Sequence, residues 1–207
     1  CKCNPITLEC LEDDGCPWDM VLIPNSDPPA CIDRFEASIT SGSLGSTDGS
    51  NTTAVAASLP GVEPTNNVTQ PQAAAACENA GKSLCARDEW INACMGKEVS
   101  LYTYGEDHRE AYCNDMSYHN QHTTTTTVET GTLPYCINDI GLYDMSGNVS
   151  EWTSTEPVGE PSWFYNMGGG YTASDSEAIC ETATYQTNLT KSTSIGFRCC
   201  CYQNICP

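Results

Sequence analysis

The chain has 207 residues, which suits one domain of generous size or one domain with a short extension. Its 27 acidic and 8 basic residues give a formal net charge of -19, which repels phosphate backbones and anionic membranes, so no nucleic-acid partner is expected. No stretch is long and apolar enough to cross a bilayer. The fifteen cysteines indicate an oxidising compartment, so we expect a secreted or cell-surface protein whose signal peptide has been removed.

Residues 1–17 form a cysteine-rich segment that precedes a predicted domain over 18–207. Cys1, Cys3, Cys10 and Cys16 lie among acidic residues with almost no hydrophobic pattern, which predicts an arm held by disulfides. A zinc knuckle is the competing interpretation, although the usual Cys-x2-Cys pair is missing. The odd cysteine count leaves two roles for Cys1: the lipid-modified cysteine of a bacterial lipoprotein, or a bridge within the chain or to a neighbouring subunit.

The first strands of the domain are predicted at 18–24, which ends at a proline, and at 31–37, as its partner. Residues 38–66 are rich in Ser, Thr, Gly and Asn, which predicts a long surface loop. Glycosylation sequons start at three positions, Asn51, Asn67 and Asn188.

Two helices are predicted next. The first covers 70–80, with a proline in its first turn and Gly81 at its end. The second covers 86–95, with acidic residues in its first turn and Gly96 after it. Ala86 cannot supply the side-chain cap that a hydroxyl residue would, which weakens the second helix by about 1 kcal/mol. Cysteines 77, 85 and 94 on this helical pair are expected in bridges.

Residues 98–140 are predicted to be mostly irregular. The five-threonine run at 123–127 reads as a solvated loop or as an O-glycosylated patch. His119 and His122 have the spacing of a zinc or copper pair, but histidines in a loop are more often plain surface residues.

The segment Gly141–Thr153 contains a turn at Ser-Gly-Asn followed by an alternating, strand-like run that includes Trp152. Gly147 and Asn148 both tolerate left-handed backbone conformations. Asn148 and Glu151 place two oxygen ligands beside the turn. On these residues alone, a half-buried strand with Trp152 in the core and a calcium site both remain open.

Near the C-terminus, three glycines at 168–170 follow an aromatic run, which predicts a bulge or a close backbone approach. Residues 194–202 predict a closing core strand tied by its cysteines. No internal repeat is visible.

Taken in order, these landmarks resemble the formylglycine-generating enzyme-like family, the sulfatase-modifying-factor domain. The resemblance covers about residues 19–201. It rests on six landmarks in family order, of which the first three have two parts each: Met20–Pro24 with Cys31–Glu36, Ala74–Leu84 with Asp88–Trp90, Tyr102–Gly105 with Asn114, Gly141–Trp152, Gly169–Tyr171 and Gly196–Arg198. It implies an α+β, elaborated C-type-lectin-like fold with small antiparallel sheets, two main helices, much irregular structure and multiple disulfides.

The resemblance also implies structural calcium. The family's Gly-Asn-x-x-Glu turn maps onto Asn148 and Glu151 as side-chain ligands, with Gly147 and Val149 as carbonyl donors. A second family site begins at the residue that matches Asn114. Asn148 also starts a sequon, and as a metal ligand it would not carry a glycan.

Catalytic activity does not transfer in the same way. The family's enzymes oxidise a substrate cysteine with two closely spaced thiols that bind copper(I), just after the Gly-Gly-Ser-aromatic segment. Here the residues after Gly168–Tyr171 contain only Cys180 before the next cysteine, Cys199. The alternative is therefore a copper-dependent oxidase that uses Cys180 with one of Cys199–Cys201.

The favoured function is a secreted or cell-surface, non-catalytic binding or structural module. Its loops 38–66 and 116–134 would present a protein or glycan ligand site. A self-assembling, glycosylated extracellular subunit, forming a homo-oligomer or filament, is a specific form of this hypothesis.

Overall fold

The computed structural model describes residues 14–122 and 126–207, together with the backbone of residues 2–3 and 10–11. The strands are β1 (Lys2–Cys3), β2 (Cys10–Leu11), β3 (Met20–Leu22), β4 (Ala30–Asp33), β5 (Ala37–Ser41), β6 (Val55–Ser58), β7 (Ser83–Leu84), β8 (Ser150–Trp152), β9 (Trp163–Met167), β10 (Ala183–Thr187), β11 (Ile195–Phe197) and β12 (Cys199–Tyr202). The helices are α1 (Gln70–Asn79), α2 (Arg87–Met95) and α3 (Met116–His122), with a 3₁₀ turn at Asp175–Glu177.

Two four-stranded sheets organise the domain. One has the order β3-β4-β12-β7 and is antiparallel throughout. The other has the order β10-β9-β8-β11, in which β11 runs parallel to β8. Two two-stranded pairs, β1 with β2 and β5 with β6, complete the sheets of the described residues. The predicted pairing of the first two strands of the domain is confirmed, because β3 lies antiparallel to β4.

Helix α1 starts where the sequence offers the right cap. The Thr69 hydroxyl accepts the backbone N–H of Gln72, and the Gln72 side chain accepts the N–H of Thr69, which together form a capping box. Helix α2 starts differently, since Ala86 has no capping side chain. Thr155, far along the chain, accepts the N–H of Arg87 at 2.9 Å and takes over that role.

Three predictions about individual segments need correction. Residues 38–66 do not form one long loop, because 37–41 and 55–58 pair as β5 and β6. The turn between them is held by α1, where the Gln72 side-chain amide faces three successive backbone carbonyls of residues 44–46. Residues 98–140 are mostly irregular as predicted, but they contain a short third helix, α3, in addition to the two main helices that the sequence predicts.

The third correction concerns the strands near Gly141–Thr153, which we call the signature segment. The closing run 194–202 is split into β11 and β12, which belong to different sheets and are separated by the buried Arg198. β8 is an interior strand of its sheet, so Trp152 and its neighbours are buried instead of alternating between core and solvent. The prediction that Trp152 fills the core is confirmed, and its indole N–H donates to the Val68 carbonyl at 2.9 Å.

Six disulfides tie the described residues together: Cys16–Cys31, Cys77–Cys199, Cys85–Cys200, Cys94–Cys180, Cys113–Cys136 and Cys201–Cys206. Two of them link adjacent residues of β12 to α1 and to the start of α2, so they fasten both helices to one sheet. Such a density of bridges is typical of an oxidising compartment. Among the helices in the described part of the chain, none has the length and apolar character needed to cross a bilayer.

Candidate functional site

The turn at 146–148 lies at the centre of the molecule and has the backbone conformation that the sequence predicts. Gly147 and Asn148 both have positive φ, 86° and 56°. A side chain at Gly147 would come within 2.5 Å of the Asn114 carbonyl oxygen, so only glycine fits there. The Asn148 N–H donates to that same carbonyl at 2.7 Å, which fixes the turn against the loop that precedes α3.

The side chain of Asn148 is 1% exposed and fully hydrogen-bonded. Its Nδ2 donates to Glu36 Oε2 at 2.5 Å and to the Val128 carbonyl at 3.1 Å. Its Oδ1 accepts from Asn114 Nδ2 at 2.8 Å and from the Val128 N–H at 2.9 Å. Both donors and both acceptor positions of this amide are therefore used within the protein.

Glu151 is equally buried and forms an ion pair with Arg198, the residue between β11 and β12. The guanidinium approaches both carboxylate oxygens at 2.9–3.1 Å, and the Trp90 indole N–H donates to Oε2 at 2.6 Å. Arg198 also donates to the carbonyls of Asp33 and Tyr143, so it joins both sheets to the signature segment. Charged hydrogen bonds in this setting are strong because water does not compete for them.

Two further carboxyls surround this pair, and the sequence did not single them out. Burial, reinforced by Asp144 and Glu151, raises the pKa of the Glu36 carboxyl well above its ordinary value. Burial also raises the pKa of Asp144 to about 7, while its hydrogen bond from the Gly131 N–H acts in the opposite direction. Three buried carboxyls therefore face one guanidinium, and protonation of Glu36 and Asp144 relieves the excess negative charge. We call these residues, Glu36, Asp144, Asn148, Glu151 and Arg198, the turn network.

The calcium ligands that the resemblance implies fall within or beside the turn network. The side-chain oxygens of Asn148 and Glu151 are already occupied by protein donors, as described above. Asn114 Oδ1 faces the His119 ring nitrogen at 3.1 Å, and the N–H of Val149 donates to Glu36. At both implied sites, the one at Asn148 and Glu151 and the second one that begins at Asn114, a calcium ion would have to displace these protein donors from the side-chain oxygens. Calcium stays a prediction of the family resemblance.

The thiols required by the oxidase alternative are paired with other partners. Cys180 is bonded to Cys94 of α2, and Cys199 is bonded to Cys77 of α1. Cys200 and Cys201 are likewise in bridges. The pairing of Cys180 with one of Cys199–Cys201, on which the oxidase alternative depends, is therefore contradicted. The geometric reason is that Cys180 lies between β9 and β10, which belong to one four-stranded sheet. Cys199–Cys201 lie on β12, which belongs to the other.

The structure also contradicts two other metal hypotheses, the zinc knuckle of the N-terminal cysteines and the zinc or copper pair of His119 and His122. Cys16 is bonded to Cys31, so it is not available as the fourth thiol of a zinc knuckle. The side chains of Cys1, Cys3 and Cys10 lie outside the described residues, as does any lipid on Cys1. His119 and His122 lie on a helix, α3, and not in a loop. They turn to different partners, Asn114 and the Tyr118 carbonyl, instead of converging on one ion.

A polar cleft of about 370 Å³ opens beside Gly169 and Gly170, the segment after which the resemblance places the family's thiols. Its walls come from β8–β11 and the loops that join them. The hydroxyl and amide side chains that line it include Ser150, Asn166, Thr172, Thr184, Gln186 and Ser194. Asn166 is only 2% exposed, yet neither atom of its side-chain amide has a hydrogen-bond partner. No feature of the sequence marked Asn166.

The sequon asparagines differ in exposure. Asn51 and Asn67 are exposed, and Asn188 is half-buried. Asn148, which also starts a sequon, is buried.

The two loops expected to present a binding surface lie against each other. The N–H of Thr130 donates to the Val62 carbonyl, and the Thr130 carbonyl accepts from Gly61, at 2.9 and 2.8 Å. The Thr127 hydroxyl donates to Glu63 at 2.9 Å. Residues 59–63 and 126–131 are therefore one continuous surface, held by backbone hydrogen bonds across the chain.

Comparison with known proteins agrees with this architecture. A formylglycine-generating enzyme from Bos taurus is 29% identical over 163 residues, which is 66% of this chain and 43% of that protein. One from Mycobacterium tuberculosis is 31% identical over 102 residues, which is 45% of this chain and 33% of that protein. The chain thus matches less than half the length of either enzyme.

The fold is shared with several solved structures at low sequence identity. PvdO from Pseudomonas aeruginosa has a TM-score of 0.60 and 15% identity, with 83% of this chain and 80% of that chain covered. Treponema denticola variable protein 1 has a TM-score of 0.58 and 14% identity, with 88% and 98% covered. The Major Tropism Determinant U1 variant has a TM-score of 0.56 and 14% identity, with 90% and 53% covered.

The model of the sulfatase-modifying factor enzyme 1-like domain matches residues 19–202, nearly the whole chain. The matched range contains both sheets, the turn network and the cleft. The chain belongs to the sulfatase-modifying-factor, or formylglycine-generating enzyme-like, domain family.

Proposed function

We propose that this protein is an extracellular, non-catalytic binding module built on the formylglycine-generating enzyme-like scaffold. Ligand binding would use the polar cleft and the surface formed by residues 59–63 and 126–131. The six disulfides support an oxidising location and a rigid frame from which such surfaces are displayed.

The observation that carries the proposal is the Cys94–Cys180 bridge. Cys180 is the first cysteine after Gly168–Tyr171, and in a disulfide it is neither a nucleophile nor a copper(I) ligand, since both roles require a thiolate. The cleft beside that segment is instead lined by hydroxyl and amide groups, which bind ligands without covalent chemistry.

Two structural neighbours favour a non-catalytic binding role by analogy. One is named a variable protein and another a tropism determinant, and both keep this fold at about 14% identity. A shared fold does not transfer function, so the proposal rests on the cleft and the disulfides of this chain.

The competing function is the copper-dependent cysteine oxidase, and one experiment separates the two. Denatured, unreduced protein is alkylated with iodoacetamide and mapped by mass spectrometry, and native protein is incubated with copper(I) and a cysteine-containing peptide in air. We expect no alkylation at the twelve described cysteines and no aldehyde on the peptide.

A known formylglycine-generating enzyme serves as the positive control for the peptide assay. The Cys94→Ser variant, which frees the Cys180 thiol, serves as the positive control for alkylation. Aldehyde formation by the wild-type protein would overturn the proposal in favour of the oxidase.

The glycosylated, self-assembling form of the module remains a further prediction. It needs glycans at accessible sequons, for which Asn51 and Asn67 are the exposed candidates. Mass measurement of protein from its natural host, before and after enzymatic deglycosylation, tests it. An unchanged mass would remove the glycan from the proposal without affecting the cleft.

A further inference from the structure

Asn166 is an exception to a general rule about buried amides. It lies on β9, between Trp152 on β8 and Thr184 on β10, which are its cross-strand neighbours. Trp152 belongs to the core and Thr184 is exposed, so Asn166 sits at the boundary between core and cleft. Buried polar groups are nearly always hydrogen-bonded, and an unmade bond costs roughly 1–3 kcal/mol. Both atoms of this amide lack a partner.

The side chains around Asn166 have unused hydrogen-bonding capacity as well. Thr184 lies directly opposite Asn166, and Gln186 lies one pair farther along the same face of β10. Within the described residues, the side chains of Thr172, Thr184 and Gln186 make no hydrogen bond. A rotation of the Asn166 amide toward the cleft is inexpensive, because this terminal torsion is broad. Because Asn166 is one of the residues that line the cleft, this rotation would present its amide donor and acceptor to a ligand bound there.

The cleft is also close to neutral in a strongly acidic protein. It contains one acidic side chain, Glu177, and one basic side chain, Lys191, in a chain of net charge -19. Its apolar side chains are limited to Ala173 and Ile195. Clefts that bind drug-like molecules or apolar peptide side chains are mostly hydrophobic, and this one is not. A charged ligand would also find no net opposite charge in it.

We infer that the cleft binds a neutral, polyhydroxylated ligand of the carbohydrate class, with Asn166 as its central hydrogen-bonding residue. Each sugar hydroxyl both donates and accepts, which matches a lining of hydroxyls and amides that offer both functions. The cleft volume of about 370 Å³ lies within the range of small-ligand sites, roughly 300–1,000 Å³. This inference rests on the proposed function, because it assigns a ligand class to the proposed binding cleft.

The test uses the whole protein and a panel of neutral oligosaccharides: lactose, maltotriose, mannobiose and N,N′-diacetylchitobiose. Binding is followed by saturation-transfer NMR and isothermal titration. We expect wild-type protein to bind at least one member with Kd below about 1 mM. Asn166→Val and Thr184→Val should each weaken that binding at least about tenfold. Thr40→Val is the matched control, because Thr40 is also an exposed strand threonine but lies on β5 and does not line the cleft.

Thermal unfolding distinguishes a ligand-binding amide from a structural one. Asn166→Val removes no hydrogen bond within the protein and suits a strand, so its Tm should be equal to or above that of wild type. A lower Tm for Asn166→Val would show that the amide supports the fold, and would overturn its assigned role.

Two other outcomes would overturn the inference. One is the absence of binding to the whole panel by folded protein. The other is binding that Asn166→Val and Thr184→Val leave unchanged, which would place the sugar elsewhere. Either result would leave the proposed non-catalytic function intact, since that function fails only if wild-type protein forms an aldehyde on the cysteine peptide.

Discussion

Two asparagines buried in neighbouring parts of this molecule have opposite surroundings. Asn148 in the turn network uses all its donors and acceptors within the protein, whereas Asn166 beside the cleft uses none of its amide. Both are at most 2% exposed, so burial alone does not distinguish them. What differs is the number of partners.

The difference separates structural from functional polarity in this domain. A fully bonded buried network favours one arrangement of the chain, because losing any member leaves the others unpaired in a low-dielectric interior. An unbonded amide costs stability in the free protein, and that cost is recovered only when an external group binds. The same scaffold thus contains a polar region that stabilises the fold and another that is suited to a ligand.

Removal of Arg198 should have the largest effect. The Arg198→Met variant leaves Glu151 buried without its counter-charge, next to Glu36 and Asp144, and we expect a loss of about 3–5 kcal/mol in urea unfolding. The double variant Arg198→Met with Glu151→Gln should recover part of that loss, because it removes the orphaned charge. A loss below about 1 kcal/mol in the single variant would show that the turn network is not a coupled unit.

The pH dependence of stability should be nearly as large. The pKa of Asp144 is raised to about 7 in the folded protein, so the folded state holds its proton more tightly than the unfolded state. This stabilisation is fully present below about pH 4 and is lost as pH rises through 7, a change on the order of 4 kcal/mol. The pKa of Glu36 is raised also and contributes with the same sign.

The slope of the unfolding free energy against pH is measured by urea unfolding from pH 4 to pH 8. Asp144→Asn keeps an acceptor for the Gly131 N–H and cannot ionise, so it should flatten the slope and be the more stable protein at pH 8. Asp107→Asn, at an exposed carboxyl, should leave the slope as it is. If Asp144→Asn has the wild-type slope, Asp144 is ionised in the fold and the charge balance described here is wrong.

A direct comparison of the two asparagines should give an intermediate effect. Asn148→Gly tolerates the positive φ but removes the four hydrogen bonds of the Asn148 side chain to Glu36, Asn114 and Val128, so we expect a loss of about 2–3 kcal/mol. Asn166→Ala removes no bond and also removes an unpaired buried amide, so we expect no loss of stability. Equal losses at both positions, measured by chemical denaturation, would contradict the distinction between the two regions.

A smaller effect is expected at the start of helix α2, where Thr155, 68 residues farther along the chain, accepts the backbone N–H of Arg87. Thr155→Val removes the acceptor for the Arg87 N–H and should cost about 1 kcal/mol. Adding Ala86→Ser to that variant should offset part of the loss, because the serine hydroxyl would accept the N–H of Asp88 or Glu89 in the same first turn. If Thr155→Val loses no stability, the Thr155 hydroxyl does not stabilise the start of α2.

These examples also show what the sequence could and could not predict. The two longer helices, the pairing of β3 with β4 and the positive φ values at 147–148 follow from local chemistry, and all were predictable. The partners of Asn148 and Glu151 were not, because Glu36 and Arg198 lie 112 and 47 residues away along the chain. The cysteine pairs have the same character, since composition shows that bridges exist but only the fold brings their ends together. Asn166 was missed because an unpaired amide has no sequence pattern.

The smallest expected effect is that of calcium removal, and it tests whether the turn network is complete without an ion. Because the side-chain oxygens of Asn114, Asn148 and Glu151 already have protein partners, EDTA should shift Tm by less than about 1 °C. Magnesium-loaded and calcium-loaded samples at equal ionic strength serve as controls. A fall of several degrees that calcium alone restores would mean that the Asn148 amide turns its oxygen toward Glu36 to share a cation. The family's calcium site would then be present here, and the raised pKa of Glu36 would describe only the ion-free protein.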